Sequence, residues 1–151
     1  MKQLRVIFHT QSGNTERLAR AVARGAEQAG EVDVQIARAF DTSLDDLLGC
    51  HGVVFATAEY NGYMSGALKD FFDRTYEAAR GRVTGKPYAV VISAGNDGSF
   101  ANQYIERHAR GYALKRIAEP IIVVGAVTVA AEARCAELGE LFAAGLGLGV
   151  F

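Results

Sequence analysis

Thr10-Gln11-Ser12-Gly13-Asn14-Thr15 separates a short apolar run, Leu4, Val6, Ile7 and Phe8, from Leu18, Ala19, Val22, Ala23 and Ala26, which recur at helical spacing. The order is strand, polar loop, helix. Three hydroxyl side chains, an amide on either side of Ser12 and a glycine fill the loop. The first N–H groups of a helix have no intrahelical acceptor, and the helix dipole adds partial positive charge there. Such a turn holds an anion, a phosphate above all, without Lys or Arg. No basic residue lies inside the loop, and the lysine and spacing of a Walker-type loop are missing. The same residues also allow a plainer reading, in which Ser12 or Asn14 caps the helix.

Outward from this loop the alternation repeats. Val32, Val34 and Ile36 alternate with Asp33 and Gln35 as in a half-exposed edge strand. Asp41-Thr42-Ser43 precedes a short helix through Leu44, Leu47 and Leu48, and Gly52-Val53-Val54-Phe55-Ala56 reads as a buried strand. A second polar loop, Thr57 to Ser65, leads into a helix with Ala67, Leu68, Phe71, Phe72 and Tyr76 on its apolar side. Gly81, Gly85 and Pro87 end that helix before the strand Tyr88-Ala89-Val90-Val91-Ile92. A third loop, Ser93 to Ser99, opens a helix carrying Phe100, Tyr104, Ile105 and Tyr112. Pro120 introduces the strand Ile121-Ile122-Val123-Val124, and the last helix uses Leu138, Leu141 and Phe142.

Five strand–helix alternations predict an α/β protein, a five-stranded parallel sheet with helices on both faces, as one domain over residues 1–151. The three loops richest in Gly, Ser, Thr and Asn follow strands one, three and four. Those are carboxyl ends, where open α/β sheets collect ligands at the reversal of strand order. With order 2-1-3-4-5 the reversal lies between strands one and three.

Composition narrows the function. Half of the 151 residues are hydrophobic and the formal net charge is −1, with no block of like charge suited to nucleic acid or a membrane surface. No stretch reaches transmembrane length, and the start of the chain runs directly into a strand, so a cytoplasmic location is expected. Cys50 and Cys135 stand alone, without CxxC or histidine at metal spacing, which predicts no metal site and a reducing compartment. His9, at the end of the first strand, reads as a packed side chain, while His51 and His108 read as solvated. The apolar, Gly-rich end Gly145–Phe151 covers either the chain's own core or a second copy in a homodimer.

In the second loop, Ala58-Glu59-Tyr60-Asn61-Gly62, Tyr60 offers a flat apolar face with a polar tip, and Asn61-Gly62 tolerates positive φ. Tyr60 is equally readable as a half-buried loop aromatic. In the third, Gly95-Asn96-Asp97-Gly98 has the small turn formers needed where backbone passes a flat ring, or simply forms a turn before a helix.

Together these loops resemble the flavodoxin-like superfamily of FMN proteins, and the likeness runs over nearly the whole chain. Thr10-Gln11-Ser12-Gly13-Asn14-Thr15 resembles the phosphate loop of flavodoxins. Ala58-Glu59-Tyr60-Asn61-Gly62, followed by Ser65-Gly66-Ala67-Leu68-Lys69-Asp70, is similar to the isoalloxazine loop of NAD(P)H-dependent FMN reductases. Ala58 and Ser65 stand where those enzymes usually carry proline, which predicts a looser loop, and the first loop lacks their Gly-Ser-x-Arg form. The resemblance implies a flavodoxin-like three-layer α/β/α sandwich. It assigns the FMN phosphate to Thr10, Ser12, Gly13, Asn14 and Thr15, with Gln11 contributing its amide. It places Ala58, Glu59, Tyr60, Asn61 and Gly62 along the isoalloxazine, and closes the other side with Gly95, Asn96 and Asp97.

The function so implied is an FMN-dependent oxidoreductase passing electrons from NAD(P)H to a quinone or similar small acceptor. The flavin carries the chemistry and no side chain need be catalytic. The alternative is a flavodoxin-type electron carrier that docks on redox partner proteins. The net charge of −1 speaks against a strongly acidic carrier, although Asp41, Asp45 and Asp46 form a local acidic patch. A phosphoacceptor signalling domain would need acidic residues at the end of the first strand, where Phe8-His9-Thr10 has none.

Overall fold

A computed structural model describes all 151 residues. The elements run β1 (Gln3–Phe8), α1 (Asn14–Ala29), β2 (Asp33–Arg38), a 3-10 turn (Ala39–Asp41), α2 (Leu44–Gly49), β3 (Gly52–Ala58), α3 (Gly66–Ala79), β4 (Pro87–Ala94), α4 (Ser99–Tyr112), β5 (Lys115–Arg116), β6 (Ile121–Val124) and α5 (Val129–Leu148). All strand pairs are parallel, in the order β2-β1-β3-β4 followed by β5 and β6, which both pair with β4. The fifth position expected from Ile121–Val124 is therefore filled by two pieces. Lys115–Arg116 pairs with the start of β4 and Ile121–Val124 with its end. Pro120, which has no N–H to donate, stands immediately before the second piece.

Side chains alternate across the strands and divide the core in two. Leu4, Val6 and Phe8 of β1, with Val54 and Ala56 of β3, face α1 and α5. Ile7, Val53, Phe55, Val90 and Ile92 face α2, α3 and α4, where Phe55, Phe71, Phe72 and Tyr112 are fully buried. Each such side chain contributes about 1.5–3 kcal/mol. β2 alternates between exposed and half-buried positions, as an edge strand should.

The two layers are held differently. Along α1 and α5 backbones touch: a Cβ added at Gly139 would lie 2.0 Å from Val22 O, and one at Gly25 would lie 1.9 Å from Ala136 O. On the opposite face α4 meets α3 through side chains. His108 stacks on Phe72 (4.7 Å between centroids), and the Tyr112 hydroxyl sits 2.8 Å from Thr75 Oγ1 and 3.0 Å from Phe72 O. His108 is thus packed, not solvated; the neighbouring ring outweighs the exposed helix position. Leu141, expected on the apolar side of the last helix, is 52% exposed. In the Gly-rich end Phe151 packs edge-on against Phe142 of the chain's own core and over Gly145, where an added Cβ would displace its ring, while Leu148 and Val150 are exposed.

Candidate flavin site at the carboxyl edge of the sheet

The loops after β1, β3, β4 and β6 meet at one edge and wall a cleft of about 290 Å³. Ser12 and Asn14 come from the first loop, Ala58, Glu59 and Tyr60 from the second, and Ser93, Ala94 and Gly95 from the third. Of the residues expected at the site, Ser12, Asn14, Ala58, Glu59, Tyr60 and Gly95 line this cleft, and Ser93 and Ala94 join them. Asn61, Asn96 and Asp97 are exposed at the loop tips and are not among the lining residues. A larger cavity, between α3 and α4, lies away from these loops.

The first loop ends in Gly13, whose φ of 99° places it in the left-handed region, and α1 begins with Asn14. No side chain caps the helix, so neither Ser12 nor Asn14 serves as the cap that the plainer reading required. The side-chain bond inside the loop runs from Gly13 N–H to Thr10 Oγ1, at 2.9 Å. The first intrahelical donor of α1 is Arg17 N–H, bonded to Gly13 O, which leaves the N–H groups of Asn14, Thr15 and Glu16 without backbone acceptors. Glu16, the acid of the first turn, is drawn away to Arg20 (2.8 Å) and Arg38 (3.6 Å), while Arg17 is held by Glu132 (3.0 Å). Positive potential at the mouth of α1 therefore comes from backbone N–H and the helix dipole. Thr15 is buried in the first turn and Ser12 is exposed beside it. Neutral donors without a competing carboxylate fit a phosphate.

In the second loop Tyr60-Asn61-Gly62-Tyr63 is a tight hairpin. Tyr60 and Tyr63 exchange both backbone hydrogen bonds (2.9 and 3.1 Å), and Asn61 and Gly62 take φ of 52° and 72°. Asn-Gly suits two successive positive φ values, which explains a turn of two residues here. Burial pushes the half-buried Tyr60 phenol above its usual range, against a smaller opposing effect of the Gln11 backbone in the first loop. At Ser65, one of the two positions where proline is missing, hydrogen bonds tie the loop down. Ser65 N–H donates to Thr57 Oγ1 (2.9 Å), a bond proline could not make, and Ser65 Oγ accepts from Leu68 N–H (3.2 Å) to cap α3.

Glu59 lines the cleft, but its carboxylate is already engaged. Oε1 accepts from Gly98 N–H and Oε2 from Ala101 N–H, each at 3.0 Å, so that the second loop grips the start of α4. Asp97 Oδ1 accepts from Ser99 N–H (3.0 Å), and the Ser99 hydroxyl and N–H hold the Asp97 carboxyl below its ordinary range. The third loop is thus a capped turn as well as a wall. Burial, and then Arg38, lower the pKa of His9, which keeps its imidazole neutral near pH 7.

One lining residue lay outside the three loops singled out in the sequence. Gly125, after β6, lines the cleft and donates its N–H to Ala94 O (2.8 Å). Phe40, after β2, is 63% exposed and packs edge-on to His9, which is edge-on to Tyr60. The available signal for Gly125 was position alone, since it directly follows a strand at the carboxyl edge. Cys50 and Cys135 are buried thiols, and burial raises the pKa of Cys135 to about 11.

Comparison with known proteins agrees with this geometry. Residues 38–126 match the NADPH-dependent FMN reductase family. A protein named flavodoxin from Aquifex aeolicus is 29% identical over 98 residues, 65% of this chain and 53% of that protein. A protein named NAD(P)H dehydrogenase (quinone) from Acidithiobacillus ferrooxidans is 28% identical over 114 residues, 62% of this chain and 57% of that protein. The chain thus matches little more than half the length of these relatives. Among solved structures, a flavodoxin from the domain Archaea superposes with a TM-score of 0.81 at 25% identity, covering 94% of this chain and 96% of that one. With a flavodoxin-like sheet of order 2-1-3-4-5 and a family match across its second and third loops, the chain belongs to the NADPH-dependent FMN reductase family.

Proposed function

We propose that this chain binds FMN at the carboxyl edge of its sheet and passes electrons from NAD(P)H to a quinone or similar small acceptor. The observation that carries the reading is the uncapped start of α1, which opens beside the cleft walled by the second and third loops. The N–H groups of Asn14, Thr15 and Glu16 and the hydroxyls of Thr10, Ser12 and Thr15 would hold the phosphate, with Gln11 and Gly13 shaping the turn. Tyr60 would cover part of the isoalloxazine, flanked by Ala58, Asn61 and Gly62, while Gly95, Asn96 and Asp97 would border its other side.

Bound FMN supplies hydride acceptance and electron delivery. The protein's part is to hold and orient. The third loop carries no aromatic residue between Ser93 and Ser99, and Gly95 is exposed, so nothing bulky from this side blocks the approach of a planar donor or acceptor. His9, at the end of β1 and edge-on to Tyr60, has its pKa lowered by burial and by Arg38, which disfavours a positive charge there.

Support for the enzymatic route comes from the family match, the relative named for NAD(P)H and quinone, and the net charge of −1. The relatives named flavodoxin favour a second reading, an electron carrier. Steady-state oxidation of NADPH or NADH by FMN-loaded protein with a quinone acceptor decides between them. Sustained turnover is the expected result, and flavin that is bound but never turned over would identify the carrier. No helix is long and apolar enough to cross a membrane. With both cysteines buried as free thiols, we place the protein in the cytoplasm.

A further inference from the structure

Glu59 spans a gap that no other carboxylate in the cleft spans. Its backbone N–H extends the β3–β4 ladder through Ser93 O (2.9 Å), while its side chain crosses to Gly98 and Ala101 N–H at the start of α4. One residue therefore fixes the second loop to the third at both main-chain and side-chain level. A second tie lies deeper, where Tyr63 packs on Tyr104 of α4 at 4.6 Å between centroids.

We propose that Glu59 is a positioning residue: its carboxylate, bridging the second loop to the first turn of α4, sets the separation of two cleft walls and thereby the affinity and reduction potential of the flavin between them. This rests on the FMN reading above. Two physical consequences follow from the bridge. Bidentate acceptance by an ionised carboxylate is stronger and more directional than neutral hydrogen bonds, so the wall spacing is fixed before any ligand arrives. The same carboxylate also belongs to a residue of the cleft lining and brings a negative charge to it. Reduction adds negative charge to the flavin, so a neighbouring carboxylate opposes it and lowers the potential. Glu59 thus trades some ease of reduction for a preformed site.

The test uses the full chain with Glu59→Gln and Glu59→Ala, with circular dichroism confirming that each variant folds. In the flavin-free protein, amide hydrogen exchange at Gly98 and Ala101 is expected to speed up about tenfold or more in Glu59→Ala. In Glu59→Gln, which keeps one acceptor oxygen, one of the two amides stays protected. FMN titration is expected to show about tenfold weaker binding for Glu59→Ala. The potential of bound FMN is expected to rise in both variants. Glu59→Gln preserves size, so a role in packing alone would leave its potential at the parental value, and that result overturns the proposal. Unchanged exchange at Gly98 and Ala101 in Glu59→Ala overturns it too. A parent protein that binds no FMN defeats the functional reading instead, and the two failures are separable because the exchange measurement needs no flavin.

Discussion

Two helices start at the same edge of the same sheet, and both start the same way. α1 follows Gly13 at φ 99° and α4 follows Gly98 at φ 89°, and neither glycine supplies a side-chain cap. What surrounds them differs. At α4 two carboxylates, Glu59 and Asp97, take up the N–H groups of Gly98, Ala101 and Ser99. At α1 no carboxylate serves as a cap, because Glu16 is turned toward Arg20 and Arg38. The same backbone device is an internal joint in one place and an uncapped helix start in the other. The charge that completes α4 is part of the protein, whereas at α1 we propose that it is supplied by the phosphate of FMN.

The contrast can be broken most sharply at the glycines. A Cβ at Gly98 would lie 2.5 Å from Ile122 Cγ2 as well as straining the backbone, whereas a Cβ at Gly13 meets nothing within 4 Å. Gly98→Ala is expected to lose about 2–4 kcal/mol of stability in urea denaturation, from strain and overpacking combined. Gly13→Ala is expected to lose about 1–2 kcal/mol, from strain alone. Equal losses would mean that the tight seat of Gly98 under β6 has no energetic weight.

Making α1 resemble α4 is the next test. Asn14→Asp places a fixed negative charge at the open N-terminus, which suits the helix dipole but competes with a phosphate. FMN affinity is expected to fall about tenfold, close to 1.4 kcal/mol, with no loss of thermal stability. Affinity equal to the parent's would remove the start of α1 from the binding site.

Smaller effects should separate the helices by pH. The Asp97 carboxyl titrates below its ordinary 3.8 because the Ser99 hydroxyl and N–H favour its charged form. Its contribution is therefore present above pH 3.8 and lost as the pH falls through the lower folded value. Protection of the Ser99 amide should decline in that window while the first turn of α1 is unaffected. Asp97→Ala should remove this acid dependence and lower the melting temperature only slightly, since the side chain is fully exposed.

Much of this was legible before any coordinates. The strands themselves and the edge character of β2 followed from apolar runs such as Val53–Ala56 and the alternation Val32, Val34, Ile36, because burial on one face or two leaves different periods, whereas the strand order came with the resemblance of the loops to flavodoxin-like proteins. The caps were legible only in part. Ser43 caps α2 with Asp46 at the expected spacing, a local pattern. The capping of α4 by Glu59 joins residues 39 and 42 apart in sequence, and no local pattern announces it. The same holds for Ser65, which read as a missing proline and proved to be a buried hydrogen-bonding joint. Gly125 reached the cleft by topology, which brings the end of β6 to the same edge as the chemistry-bearing loops.

The start of α1 is tested most directly by comparing FMN with riboflavin, which has the same ring and no phosphate. Titrated into the flavin-free protein and followed by quenching of flavin fluorescence, FMN should bind tighter than riboflavin by about a hundredfold or more, as expected for a dianion held by several N–H and O–H donors. Asn14→Asp should shrink that ratio. Equal affinities for the two flavins would show that no phosphate is held at α1 and would contradict the account.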